Sequence, residues 1–434
     1  MTTTYLKRAT ATGPTADDQT TELVQKMLRD IEENGEEAVA RYSTELDGWA
    51  PESFIVGEAQ IEEAAAALSP QTRADIDFSL QQVSRFAAAQ RATLQDLEIE
   101  LSPGLTAGHR HVPVAVAGCY IPGGRYSHAA SAAMSIGTAK AAGVPFVVAC
   151  SPPRGDGIHP ASLYAMAHAG ADVILALGGV QAIGAMAFGH FTGRPADVLA
   201  GPGNRFVAEA KRLLFGRVGI DVFAGPTEAL VLADDTADPE IVAVDLASQA
   251  EHGPDSPTVL VTTSPRVAEA VLALMPSAIE GLPLAEAATR AWEDHGEVVL
   301  CDTREEAAAV SDEYASEHVE IHCADLPWWR GTLRNYGTLF VGEETTVAYG
   351  DKSAGPNHIL PTKRAARYTG GLWVGKFLKT LTFEQMTREA SRDIGQVAAR
   401  VSRVEGMEGH ARSTDVRMRK YFPDEVLSLT PAEA

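Results

Sequence analysis

The chain is short of cysteine, aromatic residues, positive charge and long apolar runs, and these shortages remove several classes of function. Its four cysteines in 434 residues, Cys119, Cys150, Cys301 and Cys323, form no CxxC pair. A disulfide framework and a thiolate metal cluster are therefore not expected, and the four read as reduced, buried thiols. Basic residues number 36 against 58 acidic ones, a net charge of −22. Such a field repels nucleic-acid backbones and anionic membrane surfaces and suits a protein that handles small molecules. No 18 apolar residues occur together, and "MTTTYLKRATATGPTADDQT" has no apolar run of signal-peptide length, so a cytoplasmic protein is expected. Also missing are HExxH, a Walker loop, and a GxGxxG followed some twenty positions on by an acidic residue.

What is present is the material of a large core: 45% of residues are hydrophobic, and the length predicts two to three domains. Residues 17–47 read as two amphipathic helices split at Asn34-Gly35, and 71–95 as a longer helix. From "HVPVAVAGCYIPGG" onward, short apolar strands at 112–118, 145–150, 172–177 and 197–201 alternate with helices near 128–142, 159–169 and 179–188. That alternation predicts right-handed crossovers and a parallel sheet. A second alternating set runs through "TEALVLAD", "PTVLVTT", "EVVLCD", "HVEIHC" and "GTLFVG", and the tail from Lys376 reads as mostly helical.

Polar residues in unusual company mark the chemistry. "DLASQAEHGPDS" puts Gln249 and His252 three apart at the end of an Ala-rich run, "YASEHVEI" joins Glu317 to His318, and "AYGDKSAGPNHILPT" holds Asp351 and His358. Two readings stand for these groups: separated N and O donors of a metal site, or polar ends of ordinary helices and strands. A histidine beside a carboxylate suits proton transfer near neutrality; an exposed strand start would look the same. "LAGPGNRF" places Gly201, Gly203 and Asn204 between a strand and a helix, where free amides meet anionic cofactors, although tight turns use the same glycines.

Taken in order, "GCYIPGG", "GGVQAIGAMAFG", "AGPGNRFVAEAK", "GIDVFAGPTEALVLAD", "DLASQAEHGPDS", "SEHVEI", "GDKSAGPNHILPT" and "VEGMEGH" resemble the histidinol dehydrogenase family, over about residues 20 to 420. The resemblance implies an α/β fold of two incomplete Rossmann-like, doubly wound domains with small, mainly helical terminal segments. The domains would be an N-terminal segment 1–24; a discontinuous first domain, 25–110 with 230–375; a second domain, 111–229, on the NAD side; and a C-terminal segment, 376–434, reaching the partner subunit's site. It implies one zinc held by Gln249, His252, Asp351 and His410, the last from the other subunit of an intertwined homodimer. Glu317 and His318 would carry the acid–base work, His358 and Glu405 would contact substrate, and Tyr120, Pro122 and Asn204 would lie where NAD binds. The implied reaction oxidises a primary alcohol through the aldehyde to a carboxylate with two NAD in succession.

Several blocks depart from the biosynthetic pattern. Thr227 stands where serine is usual, Lys352 replaces an aromatic residue after Asp351, "GPNH" replaces Gly-Thr-Asn-His, and "ARYTGGLWVGKFLKTLTFE" is unusually basic. These features are similar to the branch of the family that oxidises (R)-2,3-dihydroxypropane-1-sulfonate to sulfolactate. A sulfonated diol needs cationic or amide donors in its pocket, and Arg125, His128, Lys352 and Arg403 are the candidates. L-Histidinol is the second expected substrate, and a catalytically silent small-molecule binding protein on the same fold is the reading from another class.

Overall fold

The computed structural model describes residues 3–10, 18–123, 127–222 and 225–431. Its strands, in chain order, are β1 (Thr4–Lys7), β2 (Leu97–Ser102), β3 (Leu105–Pro113), β4 (Val116–Tyr120), β5 (Phe146–Ser151), β6 (Val173–Ala176), β7 (Val198–Ala200), β8 (Gly219–Ile220), β9 (Ala229–Ala233), β10 (Thr258–Thr262), β11 (Glu297–Leu300), β12 (His318–His322), β13 (Thr338–Val341) and β14 (Leu378–Met386). The chain divides into two compact units, residues 1–91 with 113–377 and residues 92–112 with 378–434.

The larger unit holds two sheets. One has the order β6-β5-β4-β7-β8, parallel throughout; the other has the order β1-β11-β10-β9-β12-β13, parallel except where β1 runs against β11. This is the α/β architecture that the alternation of apolar strands and helices predicts. Each sheet is buried on both faces, so its central strands are nearly continuous apolar runs. In β9, Leu230 and Leu232 face one core with Val319 and Ile321 of β12, while Val231 and Ala233 face the other with Val242 and Leu246 of the helix Pro239–Ala250. The helix Asp18–Tyr42 breaks at Gly35, whose φ of 59° and ψ of −139° lie outside the helical region. It packs Val24, Ile31 and Val39 into the core of the five-stranded sheet.

The smaller unit contains a three-stranded sheet, β14-β3-β2, and the helices Arg388–Val404 and Glu408–Tyr421. Among the described residues no helix is long and apolar enough to cross a membrane. All four cysteines are buried free thiols.

Candidate active site

The site grows from the start of β12. Glu317 and His318 are both buried, and the Glu228 peptide units hold them from the neighbouring chain segment. The carbonyl oxygen of Glu228 accepts from the His318 amide at 3.1 Å and lies 3.2 Å from His318 Nδ1. The Glu228 amide donates to Glu317 Oε2 at 3.1 Å. A carbonyl can only accept, so Nδ1 carries the proton and Nε2 presents its lone pair. Nε2 is buried without a hydrogen-bond partner, 4.0 Å from Asp351 Oδ1. Burial pushes the His318 pKa down to about 4 and holds the Glu317 carboxyl well above the ordinary carboxylate range. At neutral pH the imidazole is therefore a neutral base, beside a carboxyl whose proton affinity burial has raised, two proton-transfer groups shifted in opposite directions.

Asp351 sits in a π-helical turn, Gly350–Ala354, a distortion that often marks functional positions. Its carbonyl oxygen accepts from His358 Nδ1 at 2.9 Å, leaving His358 Nε2 to take the Ser131 hydroxyl at 3.1 Å. His318, Asp351, Asn357 and His358 line a cavity of about 260 Å³. His128, Ser131, Lys352 and His358 line a second of about 240 Å³. His358 thus belongs to both. Burial, with the charge of Lys352 next, lowers the His128 pKa to about 4. Lys352 is largely exposed, its Nζ 3.8 Å from Asp351 Oδ2.

The Ala-rich run that ends in "SQAEH" is the helix Pro239–Ala250, started by Asp238, whose carboxylate accepts the Glu240 amide at 2.8 Å. Gln249 is buried on its last turn with Oε1 lacking any partner, and His252 follows beyond the helix end, exposed. Although the residue keeps an exposed surface, the protein packed around its ring desolvates it and lowers the His252 pKa, against a counteracting pull from Asp351. An orphaned amide oxygen, an imidazole and a carboxylate are a donor set that zinc accepts, so these residues fit the metal that the resemblance implies. His410 and Glu405 lie exposed in the smaller unit, on the first turn of Glu408–Tyr421 and just after Arg388–Val404. Arg403, in that unit, is engaged by Asp415 at 2.6 Å, by Glu408 and by the Leu429 carbonyl at 2.6 Å. Arg125 lies outside the described residues.

On the five-stranded sheet, Tyr120 ends β4 with its hydroxyl accepting the Gly179 amide at 3.2 Å. Pro122 follows, half-buried. Asn204 caps the helix Arg205–Leu214, its Oδ1 accepting the Phe206 and Val207 amides. None of the three lines either cavity. All sit at or just past the carboxyl ends of parallel strands, where nucleotides bind in sheets of this kind. Thr227 is half-buried next to Glu228. Glu228 itself was missed in the sequence, although "GPTE" contains it: its backbone orients both catalytic candidates, and burial raises its carboxyl to about 7.

The model of the histidinol dehydrogenase family matches residues 11–418; the chain belongs to that family and is thereby an α/β oxidoreductase acting on a CH–OH group. It is 55% identical to a histidinol dehydrogenase homolog of Pelagibacter ubique, over 97% of this chain and 99% of that one. It is 52% identical to the sulfopropanediol 3-dehydrogenase of Ruegeria pomeroyi, over 99% of each. The crystal structure of histidinol dehydrogenase from Elizabethkingia anophelis superposes with a TM-score of 0.89 at 31% identity, covering 95% of this chain and 94% of that one.

Proposed function

We propose that the protein is a zinc-dependent, NAD-linked dehydrogenase that oxidises (R)-2,3-dihydroxypropane-1-sulfonate to (R)-sulfolactate. The observation that carries the reaction type is the buried, unpartnered Nε2 of His318, in a residue that lines one cavity with Asp351 and His358. Gln249, His252 and Asp351 would hold zinc, with His410 of the partner subunit as fourth donor in an intertwined homodimer. Tyr120, Pro122 and Asn204 would face NAD. When bound, zinc supplies Lewis-acid polarisation of the substrate oxygen, and NAD is the hydride acceptor. His318, neutral at physiological pH, takes the hydroxyl proton through Nε2 while the Glu228 carbonyl holds the ring in place. His318 then releases its proton to solvent; Glu317 positions the water that hydrates the aldehyde and passes the water's proton to the aldehyde oxygen, and His318, neutral again, accepts a hydroxyl proton of the hydrate in the second oxidation. Enclosure by the two cavities keeps the aldehyde from leaving between the two oxidations.

The choice of substrate is supported by 52% identity along nearly the whole length to a sulfopropanediol 3-dehydrogenase, and by Lys352 and His128 lining the smaller cavity. A permanent sulfonate anion needs such donors. L-Histidinol is the second reading, favoured by the likeness to the solved histidinol dehydrogenase. The test is NADH yield from zinc-loaded protein with each alcohol. Two NADH per sulfonated diol and none from histidinol are expected, and the reverse would replace the first reading with the second.

A further inference from the structure

β12 lies between β9 and β13, buried on both faces. Its apolar residues Val319 and Ile321 enter one core. His318, Glu320 and His322 therefore share the opposite face, against the helix Pro239–Ala250. Asp245 of that helix meets the last two: His322 Nε2 is 3.7 Å from Asp245 Oδ2 and 3.5 Å from Glu320 Oε2. One ligand atom from each of the three residues lies within 4.8 Å of the other two.

We propose that Asp245, Glu320 and His322 form a second cation site, distinct from the one at Gln249 and His252, for a divalent first-row transition ion such as zinc or manganese. Three observations carry it. First, Asp245 Oδ2, Glu320 Oε2 and His322 Nε2 are all buried without a hydrogen-bond partner, though buried polar atoms are almost always satisfied. Second, each carboxylate is aimed by its other oxygen. Glu320 Oε1 accepts the Val347 amide at 2.8 Å, and the single proton of the Thr346 hydroxyl is shared between Asp245 Oδ1 at 3.0 Å and Glu320 Oε1 at 3.2 Å. Such outer contacts are how metal-binding carboxylates are oriented. Third, the spacing suits an ion better than a proton. His322 Nε2 stands 3.5 and 3.7 Å from the two carboxylates, too far for hydrogen bonds, so a proton shared between Asp245 and Glu320 still leaves this nitrogen without a partner. Two donors about 2.1 Å from a tetrahedral ion lie about 3.4 Å apart. Imidazole with two carboxylates favours zinc or manganese over calcium or magnesium, which prefer all-oxygen shells.

The position gives the ion a task. Asp245 is one helical turn before Gln249, Glu320 is two residues after His318, and Thr346 begins the segment that leads to Asp351. An ion here fastens together the three segments that carry the active site, without touching substrate.

The site does not depend on the proposed reaction, and metal counting separates the two. Full-length protein expressed in zinc- or manganese-supplemented medium and freed of loose metal is assayed by elemental analysis, beside His322→Gln and His252→Ala. About two ions per chain are expected in the unsubstituted protein and about one in each variant. Full metal content in His322→Gln, or none in His252→Ala, would overturn the second site. Should His322→Gln fail to fold, the ion retained or missing in His252→Ala decides the matter alone. A single ion lost in His322→Gln and kept in His252→Ala would uphold this site and remove the one proposed at Gln249 and His252.

Discussion

His318 Nδ1 lies 3.2 Å from the carbonyl oxygen of Glu228, and that contact decides which nitrogen can act as a base. With Nδ1 donating, Nε2 is left without a partner, in a residue that lines the cavity. Replacing His318 by Ala should therefore cost about 10²–10⁴-fold in kcat, the usual worth of a general base. Metal content should stay unchanged, because the replaced ring is not a ligand. Steady-state NADH formation and elemental analysis on the same sample check both halves; a near-normal kcat would remove His318 from the base role.

Gln249 Oε1 is buried without a partner, which is costly unless a ligand completes it. His252→Ala and Asp351→Ala should each lose the zinc of this site together with turnover. Dialysis against a chelator should do the same to the unsubstituted protein, with activity returning on adding zinc. Equilibrium metal content of both variants, compared at equal protein concentration, is the measurement, and full occupancy in either would discard that ligand.

How far the sequence alone reached differs by element. The parallel strands were legible because burial on both faces makes them apolar runs bounded by turn residues, as in "FVVACS" and "ALVLA". The sheet of β2, β3 and β14 was not. "LEIELS" and "LKTLTFEQM" are mostly exposed along their length, so no strong apolar contrast separates them from loop or helix. The Glu317-His318 pair and "SQAEH" were visible as motifs, yet their joining into one site rested on resemblance, because no local spacing links Gln249 to Asp351. The Asp245, Glu320 and His322 group left one local signal, polar residues at every second position of "HVEIH" inside a buried strand. Its helix partner is distant in sequence and therefore silent.

Glu228 offers a pH test. Its carboxyl is raised to about 7, chiefly by burial, above its ordinary value near 4.5. The folded chain thus binds this proton more tightly than the unfolded one. The associated stability is complete below about pH 4.5 and is lost as pH rises through about 7. Glu228→Gln, neutral at every pH, should be more stable than the parent at pH 8, by about 1–3 kcal/mol, and gain little at pH 5. Thermal unfolding of both proteins at the two pH values measures this. A difference that does not grow with pH would mean Glu228 is compensated when charged.

Lys352 projects beside Asp351, with His128 and His358 around the same cavity. If it meets the anionic end of the substrate, Lys352→Met should raise KM for the sulfonated diol about three- to tenfold, the modest size reflecting its exposure. The kcat and the KM for an uncharged primary alcohol should change little. Equal loss on charged and uncharged substrates would instead mark Lys352 as acting through Asp351 next to it.

The loop leading to Asn204 is held by a buried ion pair. Lys211 Nζ donates to Asp221 Oδ1 at 2.5 Å and to the Gly201 carbonyl at 2.8 Å, while Asp221 Oδ2 accepts the Gly201 amide at 2.7 Å. Both side chains are almost fully buried, so removing one partner strands the other's charge. Only glycine fits at 201: its φ is +119°, and a Cβ there would meet the Tyr120 carbonyl oxygen at 2.0 Å. Lys211→Met should therefore destabilise the chain by about 3–5 kcal/mol, and Lys211→Met with Asp221→Asn should recover part of that loss. Urea unfolding of the single and double variants reads the energies. Because the same contacts fix the Gly201 segment that passes Tyr120 and leads to Asn204, NAD affinity should fall in the single variant and rise again in the double; an affinity indifferent to both would place the cofactor away from this loop.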